Sequence, residues 1–435
     1  MKYHSLNQAN RETRTLYDVL LSPFGKDGSL YMPERLPRLP EAFFNNFGEM
    51  TFDEVAYVAA NALFGDELGP DTVKRIVERS FNFPVPLRRL DEQTFVLELF
   101  HGPTLTFKDF GARFMAEMLR HAPKSSRRVT ILTATTGNTG SAAANAFAGV
   151  DGVDVYILFP RQAAARQLES QFTTVGGNIH ALEVQGTIDD CHALVAQAYA
   201  DNELRTRCTL TSANSANIIR LLPQAFFYLF AVPHVRQMLY NPDQALRIGI
   251  PAGNLGNLSG ALMARAMGLD TGHIIAAENA NNALTSTLRT CIVPAHLRAV
   301  PTLAYAADKS HPTNLERVIS LCDGRVETLS RHFDAVSVGD AGIISAVNDC
   351  YARYHYTIDP HTALAYAALS MPQPYRAPSL IVSTAHPAMS LTAMSAITGR
   401  AMDLPLQLTR FMARQDCRVS IPPVYRALRA ELFRD

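Results

Sequence analysis

Beyond about residue 95, short apolar runs alternate along the chain with stretches of helical pattern. The runs are rich in β-branched residues and do not alternate with polar positions, which predicts strands buried on both faces of a sheet. Turn-forming Gly, Asn or Pro residues close several of them. The predicted strands cover residues 129–135, 153–159, 178–184, 247–250, 273–277 and 379–383, and the predicted helices include 141–147, 188–199 and 258–267.

This alternation predicts an α/β protein with parallel sheets joined by right-handed crossovers. A chain of 435 residues is long enough for two or three domains. The weakest break in the pattern lies near residues 241–244, between a long helical region and the next strand. We therefore expect an N-terminal segment over residues 1–95, packed on two α/β domains over residues 96–240 and 241–435.

Composition limits the partners that this chain can have. Lys+Arg and Asp+Glu both number 40, so no basic surplus favours nucleic acid or a membrane surface. The 6 cysteines lack metal-binding spacing, which is typical of free thiols in a reducing compartment. Neither a signal peptide nor an uninterrupted apolar run of membrane-spanning length is present. These features predict a cytoplasmic protein without a metal site.

Lys108 is the first candidate for chemistry, within His-Gly-Pro-Thr-Leu-Thr-Phe-Lys-Asp-Phe at residues 101–110. It stands between aromatic residues at the predicted start of a helix. Burial there would lower its pKa and leave a neutral amine able to form a Schiff base. The alternative is a surface lysine at a helix N-terminus, where a positive charge is unfavourable. That electrostatic cost favours a functional lysine.

Two loops rich in glycine and asparagine join a predicted strand to a predicted helix. Residues 253–257 (Gly-Asn-Leu-Gly-Asn) can direct several backbone N–H groups at a phosphate. Residues 135–140 (Thr-Thr-Gly-Asn-Thr-Gly) add hydroxyl and amide groups, which suit a carboxylate or a second phosphate. The alternative is an ordinary turn for the first loop and a helix cap for the second, and it is favoured when either loop is taken alone.

Two further polar clusters lie later in the chain. Residues 212–220 (Ser-Ala-Asn-Ser-Ala-Asn-Ile-Ile-Arg) open an apolar helix, and Arg220 could point back at an anion bound there. A helix cap with a surface or paired arginine is the alternative. Residues 383–387 (Ser-Thr-Ala-His-Pro) end the last apolar strand, at the edge where α/β sheets bind ligands. A simple strand-ending turn is the alternative for this cluster.

Taken together and in this order, the motifs resemble the threonine synthase family, in its longer bacterial and fungal form. The resemblance runs from about residue 28 to about residue 406 and is carried by HGPTLTFKDFGARFM, ILTATTGNTGSAAANAF, TSANSANIIRLLPQ, IPAGNLGNLSG, DPHTALAY and STAHPA. It implies a lyase of fold-type II, similar to tryptophan synthase β, with pyridoxal 5'-phosphate (PLP) in a cleft between two α/β domains. The implied reaction converts O-phospho-L-homoserine and water into L-threonine and phosphate, in a monomer or homodimer.

The resemblance also implies roles for single residues. Lys108 would hold the cofactor as a Schiff base and act as the general base, Asn138 would contact the pyridine 3′-oxygen, and Thr384 would face the pyridine nitrogen. The residues implied to hold the cofactor phosphate are Gly253, Asn254, Leu255, Gly256 and Asn257. Those implied to hold the substrate carboxylate and phosphate, without separate assignment, are Thr136, Gly137, Thr139, Asn214, Ser215 and Arg220.

Three stretches depart from the family pattern, and we expect them to lie on the substrate side of the cleft or to take part in closing it, rather than to hold the cofactor. Met389 replaces a lysine, residues 161–165 (Arg-Gln-Ala-Ala-Ala) replace a Gly-Lys-x-Ser segment, and residues 304–308 (Ala-Tyr-Ala-Ala-Asp) replace Ser-Asn-Ala-Met-Asp. The alternative function is therefore a threonine synthase-like PLP lyase or γ-replacement enzyme of specialised metabolism, acting on another γ-substituted amino acid. A catalytically silent relative would lack the lysine or the phosphate loop, and both are present.

Overall fold

The structure, a computed structural model, describes residues 1–7, 11–123, 127–161, 166–295, 297–372 and 377–434. Within these residues the strands are β1 (Tyr3–Ser5), β2 (Thr13–Arg14), β3 (Tyr31–Pro33), β4 (Leu87–Arg89), β5 (Thr94–Glu98), β6 (Val129–Ala134), β7 (Val153–Pro160), β8 (Ile179–Val184), β9 (Thr209–Thr211), β10 (Arg247–Pro251), β11 (His273–Glu278), β12 (Asp334–Ser337), β13 (Ser379–Ser383) and β14 (Val419–Ile421).

The α-helices of the same residues connect and cover these strands. They are α1 (Leu16–Leu21), α2 (Glu41–Asn46), α3 (Phe52–Leu68), α4 (Pro70–Ser80), α5 (Lys108–Arg120), α6 (Asn138–Phe147), α7 (Arg166–Thr173), α8 (Ile188–Ala200), α9 (Asn202–Arg207), α10 (Ile218–Leu221), α11 (Phe226–Met238), α12 (Gly256–Ala266), α13 (Ala283–Thr290), α14 (Leu315–Leu321), α15 (Asp340–Tyr354), α16 (Pro360–Ser370), α17 (Leu391–Thr398), α18 (Leu406–Met412) and α19 (Tyr425–Leu432).

The strands of the described residues form three sheets. A small antiparallel sheet has the order β2-β1-β3 and belongs to the N-terminal segment. A parallel sheet has the order β14-β8-β7-β6-β9. A larger sheet has the order β12-β11-β10-β13-β5-β4 and is parallel except for β4, which runs antiparallel to β5. The α/β class predicted from the alternating pattern is therefore confirmed.

All of the predicted strands are present, with ends that differ by at most one residue. They are β6, β7 and β8 in one sheet and β10, β11 and β13 in the other. Every residue of β6 is buried, as expected for an inner strand that is covered on both faces. The continuous apolar pattern of these strands therefore reports their position inside a parallel sheet.

Strand pairing crosses the predicted segment boundaries near both ends of the chain. β5 begins at Thr94 and pairs in parallel with β13, so residues at the end of the N-terminal segment complete the larger sheet. β14 lies close to the C-terminus and pairs with β8 of the other sheet. The division into residues 1–95, 96–240 and 241–435 stays a prediction. The pairing of β5 with β13 and of β14 with β8 joins different segments of that division, which the prediction did not include.

Residues Ile218–Met238, which include α10 and α11, lie at the centre of the main hydrophobic core. By length and composition alone this stretch could cross a membrane, but 83% of its most apolar window is buried inside the protein. Its neighbours in the core come from the N-terminal helix α3 and from α5 and α12. The stretch therefore packs as a core helix, between the N-terminal segment and the rest of the chain.

Candidate active site

Loops at the carboxyl ends of parallel strands supply the predicted site residues. The loop after β6 carries Thr136 and Asn138, the loop after β10 carries residues 253–257, and Thr384 directly follows β13. Loops from both sheets line one cavity of about 1170 Å³. Its lining contains Lys108, Thr136, Asn138, Thr139, Asn214, Ser215, Arg220, Gly253, Asn254, Leu255, Gly256, Asn257 and Thr384.

Gly137 is the predicted site residue that the lining of this cavity does not include. Its N–H donates to Thr135 Oγ1 at 3.0 Å, and the N–H of Gly140 donates to the same oxygen at 3.2 Å. Gly137 has φ 140°, a conformation that residues with a side chain rarely adopt. The structure thus gives Gly137 a part in shaping the loop and leaves its N–H bonded within that loop.

Lys108 begins α5 and faces the cavity, because the preceding residue is bonded to the end of β13. The N–H of Phe107 donates to the carbonyl of Thr384 at 2.9 Å. Lys108 Nζ donates to Thr139 Oγ1 at 3.1 Å. Burial, and then the positive charges of Arg220 and Lys309, lower the pKa of Lys108 to about 7. A substantial share of the neutral amine is therefore present near neutral pH, as a nucleophilic or basic lysine requires.

Two asparagine amides bond protein hydroxyls through their oxygens, which leaves their NH2 groups for a ligand. Asn138 Oδ1 accepts from the Tyr305 hydroxyl at 3.2 Å. Asn214 Oδ1 accepts from the Thr133 hydroxyl at 2.6 Å. With its oxygen bonded to a hydroxyl, each amide keeps its NH2 group as the donor for a ligand. Both residues line the cavity as donors, which suits an anion or a phenolic oxygen.

The loop after β10 shows the backbone features of a phosphate site. A Cβ on Gly253 would lie 2.6 Å from Ala307 Cα, so only glycine fits there. Leu255 has the left-handed φ of 58°, and α12 begins at the next residue with its N-terminus on the cavity. Asn257 Oδ1 accepts from Tyr228 at 2.6 Å, while its buried Nδ2 has no partner among the described residues. A phosphate at this helix N-terminus would satisfy that donor.

Asn254 and Ser215 hold two loops of the site together. Asn254 Nδ2 donates to Ser215 Oγ at 2.9 Å, and Asn254 Oδ1 accepts from the N–H of Thr313 at 2.7 Å. The side chain of Asn254 is therefore occupied within the protein. Ser215 Oγ also accepts from Asn314 Nδ2 at 2.9 Å. With two amide donors on its oxygen, Ser215 keeps its own proton as the group that can bond a ligand.

Arg220 places a cation without a matching partner at the wall of the cavity. It is 4% exposed, and its Nε and Nη2 atoms have no hydrogen-bond partner among the described residues. Burial lowers its pKa to about 10, and the carboxyl of Asp109 acts in the opposite direction. A buried guanidinium with two free donors is costly unless an anion completes it. Arg220 is therefore the clearest anion-binding group of the cavity.

Comparisons with known proteins agree with this geometry. The family described as "Pyridoxal-phosphate dependent enzyme" matches residues 80–384, and "Threonine synthase N terminus" matches residues 2–81. Threonine synthase of Serratia marcescens is 37% identical over 408 residues, which cover 94% of this chain and 93% of that protein. The crystal structure of Escherichia coli threonine synthase has a TM-score of 0.90, 35% identity and 99% coverage of both chains. A PLP-bound threonine synthase from Brucella melitensis has a TM-score of 0.92, 29% identity and coverage of 99% and 98%.

The chain belongs to the threonine synthase family. It is therefore a PLP-dependent lyase of fold-type II, as the resemblance implied. The geometry of this family member fits the cofactor on three counts. Lys108 is buried with a lowered pKa, the N-terminus of α12 carries the unsatisfied Asn257 Nδ2, and Gly253 allows a close backbone approach.

Sequence reasoning gave no role to the group around His361, which lines the same cavity. His361 Nδ1 lies 2.7 Å from Asp359 Oδ2, and its Nε2 accepts from the N–H of Ala306 at 3.1 Å. That acceptor bond places the ring proton on Nδ1, facing Asp359. Asp359 also caps α16 through the N–H and hydroxyl of Thr362. The Asp-Pro-His-Thr motif was the available signal, and it reads locally as a helix cap.

Arg317 is a second residue whose importance only the structure reveals. It is fully buried, and its guanidinium donates to the backbone carbonyls of Tyr31, Ser215 and Ala216 at 2.6–3.2 Å. Burial lowers its pKa to about 9. By bonding Tyr31 and Ser215, Arg317 ties the N-terminal segment to the loop that leads into Arg220. No local pattern in the sequence reports such a bridge.

The departures from the family pattern take different places in the structure. Met389 is 3% exposed and packs in an apolar cluster with Leu105 and Leu408, away from the lining of the cavity. Residues 306–308 do line the cavity, as expected. Arg161 is exposed, and residues 162–165 lie outside the described residues. The structure therefore places Met389 in an apolar cluster outside the cavity lining, and its assignment to the substrate side or to the closing of the cleft stays a prediction.

Proposed function

We propose that this family member catalyses the threonine synthase reaction, converting O-phospho-L-homoserine and water into L-threonine and phosphate. The observation that carries this proposal is the placement of Lys108, with a pKa of about 7, in one cavity with the unsatisfied donors of Arg220 and Asn257. The lysine supplies a base and a cofactor attachment point, and the two donors supply separate anion sites. The substrate and the cofactor each carry one phosphate, so two anion sites are the number that the reaction requires.

The residues that would hold PLP follow from their open donors. The N-terminus of α12 and Asn257 Nδ2 would bind its phosphate, the Asn138 NH2 group its ring oxygen, and the Thr384 hydroxyl its ring nitrogen. Bound PLP supplies an electron sink that makes hydrogens on the adjacent substrate carbons acidic. The neutral amine of Lys108 can accept such a proton and later return it, because its pKa lies close to neutral pH.

We assign the two anions of the substrate from the position of the reacting carbon and from their charge. The carboxylate is bonded to Cα, where proton transfer takes place, so it must lie beside the lysine. Thr139, at 3.1 Å from Lys108 Nζ, and Thr136 are the hydroxyl donors on that side. The phosphate is several bonds farther away, and we assign it to Arg220, the Ser215 hydroxyl and the Asn214 NH2 group. A cation suits the more highly charged phosphate, which must also depart as a dianion.

The alternative is a lyase or γ-replacement reaction on another γ-substituted amino acid. It is favoured by one observation, the altered segment at residues 304–308, which partly lines the cavity. An anionic leaving group is still required, because Arg220 would otherwise remain a buried cation without a partner. We further propose that the enzyme is cytoplasmic and acts as a monomer or homodimer, without nucleic acid or membrane.

The test combines cofactor attachment with product identification. Purified protein is loaded with PLP, reduced with borohydride and mapped by mass spectrometry, and the modified peptide should contain Lys108. The unreduced enzyme is then given O-phospho-L-homoserine, and phosphate and L-threonine should appear in equal amounts. Lys108→Ala should abolish turnover, whereas Lys74→Ala, which changes an exposed lysine of α4, should not. Product such as 2-oxobutanoate in place of threonine would support the alternative, and a loaded enzyme that releases no phosphate would contradict the proposal.

A further inference from the structure

Lys309 lines the cavity together with Lys108 and Arg220, although none of the recognised motifs includes it. It follows the altered segment at residues 304–308 and is half-buried. Its ammonium group has no hydrogen bond or ion pair with any residue that the structure describes. A third cation thus faces the site without a partner of its own.

The position of Lys309 is set on one side by Asp308. The Asp308 carboxylate accepts from Thr302 at 2.7 and 3.1 Å, from Asn279 at 2.7 Å and from Asn281 at 3.1 Å. These bonds hold the backbone next to Lys309. They also occupy the Asp308 carboxylate, which is consequently not directed at the ammonium of Lys309.

On the other side of Lys309, the chain continues into residues that bond Asn254 and Ser215. The N–H of Thr313 donates to Asn254 Oδ1 at 2.7 Å, and Asn314 donates to Ser215 Oγ at 2.9 Å. Residues 309–312 therefore form a short bridge that ends on Ser215 and Asn254. Lys309, Ser215 and Arg220 all line the same cavity.

The charges around Lys309 show which groups it faces. The positive charges of Arg220 and Lys309 both lower the pKa of Lys108, and the three residues line the same cavity. The pKa of Lys309 itself is lowered by burial, while Asp308 and the exposed Asp189 of α8 act in the opposite direction. An anion with more than one charge would be stabilised by the positive charges of this cavity.

Resting on the proposed function, we propose that Lys309 binds the phosphate of the substrate together with Arg220 and so determines specificity for a dianionic leaving group. The carboxylate has neutral hydroxyl donors beside Thr139, and the cofactor phosphate has the neutral loop at residues 253–257. The substrate phosphate, a dianion, is then the group left to pair with the two cations Arg220 and Lys309. Lysine suits this role because its compact ammonium group acts as a point charge for phosphate.

The experiment measures binding of two amino acids that differ only in the anion at the end of the side chain. L-2-Amino-5-phosphonopentanoate carries a phosphonate at the length of O-phosphohomoserine, and L-norvaline lacks it. Both are titrated into the PLP-loaded enzyme and followed by the absorbance of the cofactor. Lys309→Met should weaken the phosphonate about 10- to 100-fold and leave L-norvaline unchanged. Lys309→Arg should restore most of the loss, and Lys26→Met, which changes an exposed lysine of the outer cavity, should change neither.

Three results would overturn the role of Lys309. In the first, Lys309→Met binds the phosphonate as tightly as the wild type does. In the second, Lys309→Met binds the phosphonate and L-norvaline more weakly by the same factor. In the third, Lys309→Met lowers only the affinity of the cofactor-free protein for PLP. A wild-type enzyme that binds both amino acids equally would overturn this proposal as well as the phosphate site of the proposed function. An enzyme that binds the phosphonate through Lys309 but releases no phosphate from O-phosphohomoserine would support the role of Lys309 and refute the proposed function alone.

Discussion

Replacing Lys108 by Met should stabilise the protein from which PLP has been removed. Burial first, and the charges of Arg220 and Lys309 second, lower the pKa of Lys108 from 10.5 to about 7. That change corresponds to a cost of about 5 kcal/mol in the free energy of folding when the lysine is charged in both states. Methionine removes the charge but loses the 3.1 Å hydrogen bond to Thr139, worth about 1 kcal/mol. A net gain of about 3 to 4 kcal/mol is expected at acidic to neutral pH.

The gain should shrink as the pH rises. Above about pH 7 the folded protein holds Lys108 neutral, whereas the unfolded chain keeps it protonated up to about pH 10.5. Between these values the unfolded state binds more protons, so the wild-type protein becomes more stable as the pH increases. Below pH 7 the lysine is protonated in both states and the full cost of its burial is present. The advantage of Lys108→Met should therefore fall by about 1.4 kcal/mol for each pH unit above 7.

Urea denaturation of both cofactor-free proteins at pH 6.5, 7.5 and 8.5 measures this difference. Lys74→Met is the matched control, because its side chain is 64% exposed on α4, and its stability should match that of the wild type at each pH. The burial argument is refuted if Lys108→Met is less stable than the wild type, or if its advantage is the same at all three pH values. The first result would mean that the lysine is solvated, and the second that its charge is not the cause.

Three further substitutions test other parts of the site. Gly253→Ala should lower the affinity for PLP at least tenfold with little loss of secondary structure, since the new Cβ would lie 2.6 Å from Ala307 Cα; equal PLP affinity by fluorescence titration would contradict the close approach. Arg317→Met should lower the free energy of unfolding in urea by about 3 to 5 kcal/mol, because it strands three backbone carbonyls; a loss under 1 kcal/mol would show that water replaces the guanidinium. Arg220→Met should raise KM for O-phosphohomoserine about 100-fold. The same change should stabilise the cofactor-free protein, because two unsatisfied buried donors disappear. An unchanged KM would show that Arg220 does not bind the phosphate.

Much of the fold follows from local pattern, and the parts that do not have a common reason. β6 and β10 were predicted because an inner parallel strand must be apolar along its whole length. β9 and β14 have only three residues each, and β4 is mostly exposed. Such short strands carry too few residues for a periodic signal, and they exist because a longer neighbour offers its edge. Their sheet membership is therefore a property of the assembled protein.

The candidate site divides in the same way. Lys108, the loop at residues 253–257 and Arg220 could be predicted, because each belongs to a motif that is continuous in the chain. Arg317 and His361 could not be placed by local reasoning, because their partners lie far away in the sequence. The surroundings of Met389 could not be predicted for a related reason, since a missing lysine in a motif does not show whether its position faces a cavity or a core.

The sequence by itself determined which side chains are available and in what order they follow the strands. A lysine at a helix start, glycines after a strand and a polar run before an apolar helix are local features, and their chemistry is local too. Only the tertiary structure decided what those groups do to one another. The lowered pKa of Lys108 depends on burial and on Arg220 and Lys309, and the donor faces of the asparagine amides depend on distant hydroxyl groups. Electrostatic and hydrogen-bond effects act through space, so they are settled only when both sheets bring their loops to one cavity.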